Sequence, residues 1–146
     1  MKEIEGVFLM VAVRIIVWIA RVAGLAALLL GLLFWIAQID FISLHMWFGL
    51  TLALALLVLG IVMVVTRGMR LLGTVGIGYA LILPVFGLTQ ATLLVGSMHW
   101  LIQTAHLLVG VGALALVQVM STRYMRLKRA SAEVAAPQAT APQEVR

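Results

Sequence analysis

The sequence predicts an all-α, polytopic membrane protein built as a four-transmembrane-helix bundle. Three observations carry that expectation. The 146 residues are 64% hydrophobic and 10% charged, with a mean hydropathy of +1.19; a soluble domain is nearer half apolar and a quarter charged. Four apolar runs are long enough for the roughly 20 helical residues that cross a bilayer core of about 30 Å. All ten basic residues fall on one side of a four-span layout, as in multi-pass chains oriented by their positive loops.

The first run lies near 20–39, "ARVAGLAALLLGLLFWIAQI". The segment before it, 4–19, is also apolar, and Arg14 and Arg21 lie on one helical face of it. Long arginine stems can reach toward headgroups, so 4–19 reads either as an interfacial helix or as an extension of the first span. Acids are mixed with bases in the opening residues and no small-residue cleavage site follows a short apolar core, so the segment is expected to be retained. The second run lies near 42–66 and the third near 71–95. Pro84 interrupts the third and should kink it, because proline removes an intrahelical donor. The fourth run lies near 99–122. Together they make a domain over 1–129. The segment 130–146 is rich in Ala, Pro and Gln without apolar periodicity and is expected to be a disordered tail.

Lys2, Arg14 and Arg21 precede or begin the first run. Arg67 and Arg70 follow the second, and Arg123, Arg126, Lys128, Arg129 and Arg146 follow the fourth. The two opposite loops carry one charge, Asp40. This places both termini in the cytoplasm of a cell with the chain in its inner (plasma) membrane. The net charge of +5 is thus a mark of topology, and nucleic acid is not an expected partner. The expected partners are membrane lipid and a redox or complex partner in the membrane, with a homo-oligomer left open.

The chain has no cysteine, which excludes disulfides, thiolate metal sites, iron–sulfur clusters and covalent c-type haem attachment. No glycine-rich phosphate loop is present. Ser43 and Ser97 lack an acid partner for hydrolase chemistry.

The polar residues inside the runs are few. His45 lies in "SLHMWFGL", and His106 lies in "QTAHLLVGVG"; each is followed one turn later by glycine, Gly49 and Gly110. Counted at 1.5 Å per residue, His45 lies about 33 Å of helix before Arg67 and His106 about 25 Å before Arg123, so both sit toward the side away from the basic residues. His99, Gln103, His106, Gly110, Ala113 and Val117 share one stripe of the fourth helix, and His45, Gly49, Leu52, Leu56 and Met63 one stripe of the second. Gly24, Gly31 and Gln38 share a face of the first helix. Gly76, Leu83 and Gln90 share one of the third, beside Gly73, Ala80 and Gly87. Lipid cannot satisfy imidazole or amide groups, so these stripes should face inward. The glycines would let helices or a flat ligand approach closely.

Neutral imidazoles from two facing helices can clamp a haem iron axially. The layout resembles membrane four-helix haem proteins, and in particular one half of heme A synthase, over "LHMWFGL" and "GLTQATLLVGSMHWLIQTAHLLVGVGALAL", about half the chain. The resemblance implies haem ligands at His45 and His106. That family has eight spans, long outer loops, and a glutamate one turn before the second-helix histidine, where this chain has Phe41. What carries over is b-type haem binding, for electron transfer or haem handling.

Other readings stand beside it. His99 beside Trp100 fits an interfacial aromatic belt, and it is also an alternative ligand. Three histidines near one level would suit a zinc or copper ion. His106 hydrogen-bonded to Gln38, Gln90 or Gln103 would be a packing residue. The chain would then be a non-catalytic structural or assembly subunit of a larger membrane complex.

Overall fold

The computed structural model describes residues 2–135, and these form four long helices: α1 (Lys2–Ala37), α2 (Ile42–Val65), α3 (Arg70–Thr89) and α4 (His99–Ala135). A short 3-10 turn, Gln90–Thr92, follows α3. All four helices are long and apolar enough to cross a membrane. A helix suits such segments because it satisfies its own backbone polar groups where no water can. Successive helices are antiparallel neighbours joined by short connections, so the chain runs up, down, up and down.

The boundaries refine the sequence expectations. Residues 4–19 are continuous with α1, which is 36 residues long and spans about 54 Å. There is no separate interfacial helix. The third helix stops at Thr89, short of residue 95. The Thr89 hydroxyl donates to the Val85 carbonyl at 2.8 Å, competing with the backbone ladder at the helix end. The expected disordered tail is corrected for 130–135, where α4 continues to Ala135; Ala130, Ala132 and Ala135 are strong helix formers. Residues 136–146 lie outside the described residues.

Each connection has a local cause. Gln38 ends α1 in the left-handed region (φ 56°). Its side-chain amide donates to the Phe34 and Trp35 carbonyls at 3.2 and 2.9 Å, satisfying groups the helix end leaves open. The Asp40 carboxylate accepts from the Ile42 N–H at 3.1 Å. Gly68, with φ 82°, makes the tight turn from α2 to α3 that a side chain would strain.

The seam between α2 and α3 is set by glycines. A methyl group added at Gly73 would stand 2.7 Å from the Gly60 carbonyl oxygen, and one at Gly60 would stand 3.0 Å from the Ile77 nitrogen. Gly76 admits the Met120 side chain of α4 in the same way. The backbones therefore meet at the distance that only small residues permit. Between α1 and α4 the Arg21 guanidinium donates to the Gln118 side-chain oxygen and lies over the Trp18 ring at 5.8 Å.

The core is one-sided. Every buried residue lies within 13–27 of α1, 52–69 of α2 and its loop, 73–80 of α3 or 113–124 of α4. Val13, Leu56, Leu59, Met63, Val117, Met120 and Tyr124 are its largest fully enclosed side chains. Beyond Ala27, before Leu52, after Ala80 and before Ala113, no described residue is buried. The bundle is packed shut at the end that carries the chain termini and is open at the other.

Candidate functional site

At the open end two of the polar residues of the sequence stripes, His45 and His106, come together. His45 stands on the first turn of α2. Its Nδ1 lies 2.8 Å from the Ala27 carbonyl oxygen of α1. A carbonyl can only accept, so Nδ1 is the donor, and in the neutral ring Nε2 is the nitrogen with a free lone pair. Ala27 is reachable because residue 31, one turn on, is glycine: a methyl group at Gly31 would stand 3.2 Å from His45 Cε1. The helix's own hydrogen-bonding pattern pairs the Ala27 carbonyl with the Gly31 N–H, and no side chain covers it from there.

His106 stands on α4. Its ring centroid lies 5.9 Å from that of His45, with the planes inclined at 56°. Phe86 of α3 packs on it at 5.7 Å. Gly87, next to Phe86, faces the ring less tightly, since a methyl group there would sit at ordinary contact distance, 3.5 Å from His106 Cε1. His106 Nδ1 is buried and has no hydrogen-bond partner. The reading of His106 as a packing residue satisfied by Gln38, Gln90 or Gln103 is therefore corrected at this atom. Gln38 is instead the exposed cap of α1. Gln90 and Gln103 are half-buried.

The two helix pairs repeat one device. In each, a glycine of the first helix (Gly31, Gly87) receives a histidine of the second (His45, His106). The glycines one turn after the histidines play a different part. A methyl group at Gly49 or Gly110 would meet nothing within 4 Å, so both border open space beside the pair.

His99 lies apart, with its Nδ1 3.1 Å from the Leu93 carbonyl in the connection before α4. Among the described residues no group of three His, Asp or Glu side chains could hold a metal ion together. The three-histidine zinc or copper centre is therefore not assembled, because His99 folds back on its own loop.

The two imidazoles lie close enough for one metal ion to be held between them. With metal–nitrogen bonds of about 2 Å, imidazoles on opposite sides of one ion put their centroids roughly 6 Å apart, which agrees with the 5.9 Å spacing. Neutral nitrogen donors in an apolar setting suit iron better than a hard cation that demands oxygen.

The Ala27 carbonyl and Phe86 were not singled out from the sequence. A backbone acceptor carries no residue signature, and the only hint of Ala27 was glycine one turn later. Comparison with family models, curated proteins and solved structures gave no match to this chain, so the functional reading rests on its own residues.

Proposed function

We propose that the protein is a multi-pass membrane protein that binds one b-type haem between α2 and α4, with His45 and His106 as axial ligands. It serves electron transfer or haem handling. The observation that carries this reading is the His45–His106 pair, 5.9 Å apart at the end of the bundle where no described residue is buried. Bound there, haem would supply one-electron redox chemistry at iron. The protein's own part is to present two imidazole nitrogens and to orient the His45 ring through the Ala27 carbonyl.

The same proposal places the chain in the cell inner membrane with both termini cytoplasmic, which puts the histidine end at the outer face. It follows from the distribution of the basic residues. Single cysteines introduced at Asp40 and at Arg126 test it, since native cysteine is absent. They are expected to label from opposite sides.

An absorption spectrum of detergent-purified protein tests the haem. A Soret band and a reduced-minus-oxidised α-band are expected after expression with added haem, and both should be lost in the double variant His45→Ala/His106→Ala. Colourless protein would overturn the proposal and return the chain to the reading of a structural or assembly subunit.

A further inference from the structure

Resting on the membrane reading above, and independent of the haem, we infer that the lipid-facing side of the α1–α4 pair binds an acidic phospholipid of the cytoplasmic leaflet. Arg14 and Arg21 hold its phosphate, and its acyl chain lies along a groove beside Trp18.

The site begins with a charge that the chain does not neutralise. Between residues 6 and 132 the sole acid is Asp40, in the connection at the opposite end of the bundle. Arg21 lies about 24 Å along the helix axis from the end of α1 at Ala37, and so just inside a hydrocarbon core of about 30 Å. Its partner there is the Gln118 side-chain oxygen of α4. An amide is neutral, so the pair keeps a full positive charge at a depth where lipid tails cannot solvate it. The amide also holds the guanidinium against the helices, where it lies over the Trp18 ring at 5.8 Å. A guanidinium carries five N–H donors in a fixed fork, the geometry that pairs with phosphate.

Arg14 supplies a second charge. It is exposed, shares the face of Arg21 two turns earlier, and stands about 10 Å nearer the cytoplasmic side. A phosphate between the two is within reach of both long side chains. On α4, Arg129 continues the stripe of Gln118, and the acid nearest to it on that helix, Glu133, lies one turn beyond.

Headgroup and acyl chain fit in one direction. Trp18 is 64% exposed. With Ile19, Val22 and Ala23 it lines a shallow apolar groove against Phe48 and Thr51 of α2. Helix α1 runs outward from the cytoplasmic side, so this groove leads from the arginines toward the bilayer midplane, as an acyl chain runs from its phosphate. A second copy of the chain in the same orientation would bring no carboxylate to Arg21, because its Asp40 lies at the other end. A phospholipid brings both the anion and the chain.

The test uses the full chain in phosphatidylcholine vesicles that contain a minor fraction of brominated phosphatidylglycerol or, for comparison, brominated phosphatidylcholine. Tryptophan fluorescence is the readout, and Trp18 is the ring at the site; Trp35, Trp47 and Trp100 stand toward the opposite end. Brominated phosphatidylglycerol is expected to quench at a mole fraction about tenfold lower. Arg14→Gln, which leaves the Arg21–Gln118 bond in place, should reduce that preference about fivefold, the scale of one basic residue at an anionic surface. Trp18→Phe should remove most of the preferential quenching. Arg67→Gln/Arg70→Gln, in the connection between α2 and α3, should retain it. Equal quenching by the two lipids overturns the inference. So does a preference that falls as far in Arg67→Gln/Arg70→Gln as in Arg14→Gln, which would show a general attraction of basic residues to the surface. Cross-linked dimers without lipid preference overturn it too, and would put a second copy on this face. A chain that does not float with the vesicles overturns the membrane reading itself.

Discussion

A methyl group at residue 31 would stand 3.2 Å from His45 Cε1 and 3.3 Å from its Nδ1, so Gly31 and His45 fit together because residue 31 has no side chain. Gly87 stands in the same relation to His106 with more room, 3.5 Å. Gly31→Ala should therefore push the His45 ring and stretch its bond to Ala27 and, on the haem proposal, lower haem affinity by about tenfold, the lower end of what disturbing a ligand's support does. Gly87→Ala should be close to neutral. Haem titration of the two variants checks the order. Equal effects at both positions would contradict the unequal support of the two rings.

The α2–α3 seam makes a stability prediction independent of any cofactor. Gly73→Ala would press on backbone atoms, the Val64 nitrogen at 2.5 Å and the Gly60 oxygen at 2.7 Å, which no rotamer change can relieve. Overpacking of this kind costs about 1–3 kcal/mol, and the unfolding temperature in detergent should fall accordingly. Gly78→Ala is the control, because a methyl group there meets nothing within 4 Å. It should gain roughly 0.5–1 kcal/mol from the lower flexibility of the unfolded chain.

Arg21 is tied to Gln118 across α1 and α4, five residues before Arg123. Removing the amide with Gln118→Leu leaves the Arg21 guanidinium without its hydrogen-bond acceptor on α4. A loss of about 1–2 kcal/mol is expected, the range of a hydrogen bond to a charged group or between membrane helices. The double change Arg21→Met/Gln118→Leu should recover most of it, since it removes both polar groups. Thermal unfolding of the two single variants and the double variant forms the cycle, and additive losses would show that the pair contributes nothing.

Tyr124 is fully buried, and its hydroxyl has no hydrogen-bond partner. The ring alone accounts for its place in the core, beneath the Lys128 ammonium at 5.7 Å. Tyr124→Phe should thus be neutral or stabilising by up to about 1 kcal/mol, because an unsatisfied buried hydroxyl is removed without leaving a cavity. Tyr124→Ala should cost about 3–5 kcal/mol, as for other large aromatic truncations. Parallel melting curves separate the two roles of the side chain.

The number of helices and the apolar character of each were determined by the sequence alone. The 20-residue hydrophobic length and the cost of an unpaired backbone group in lipid leave a chain of this composition no other regular structure. The inward stripes were also legible, since Leu52, Leu56 and Met63 of the second helix and Ala113 and Val117 of the fourth are buried. Periodicity fixes which face of a helix turns inward, but it says nothing of which residue of the next helix it meets. Only the tertiary structure decided that Gln38 caps α1, that His45 and His106 approach one another while His99 folds back, and that Gly31 and Gly87, rather than Gly49 and Gly110, are the glycines against the imidazole rings. It also decided which histidine is held. That depends on a backbone carbonyl, Ala27, whose exposure is set by helix crossing and by the missing side chain one turn away.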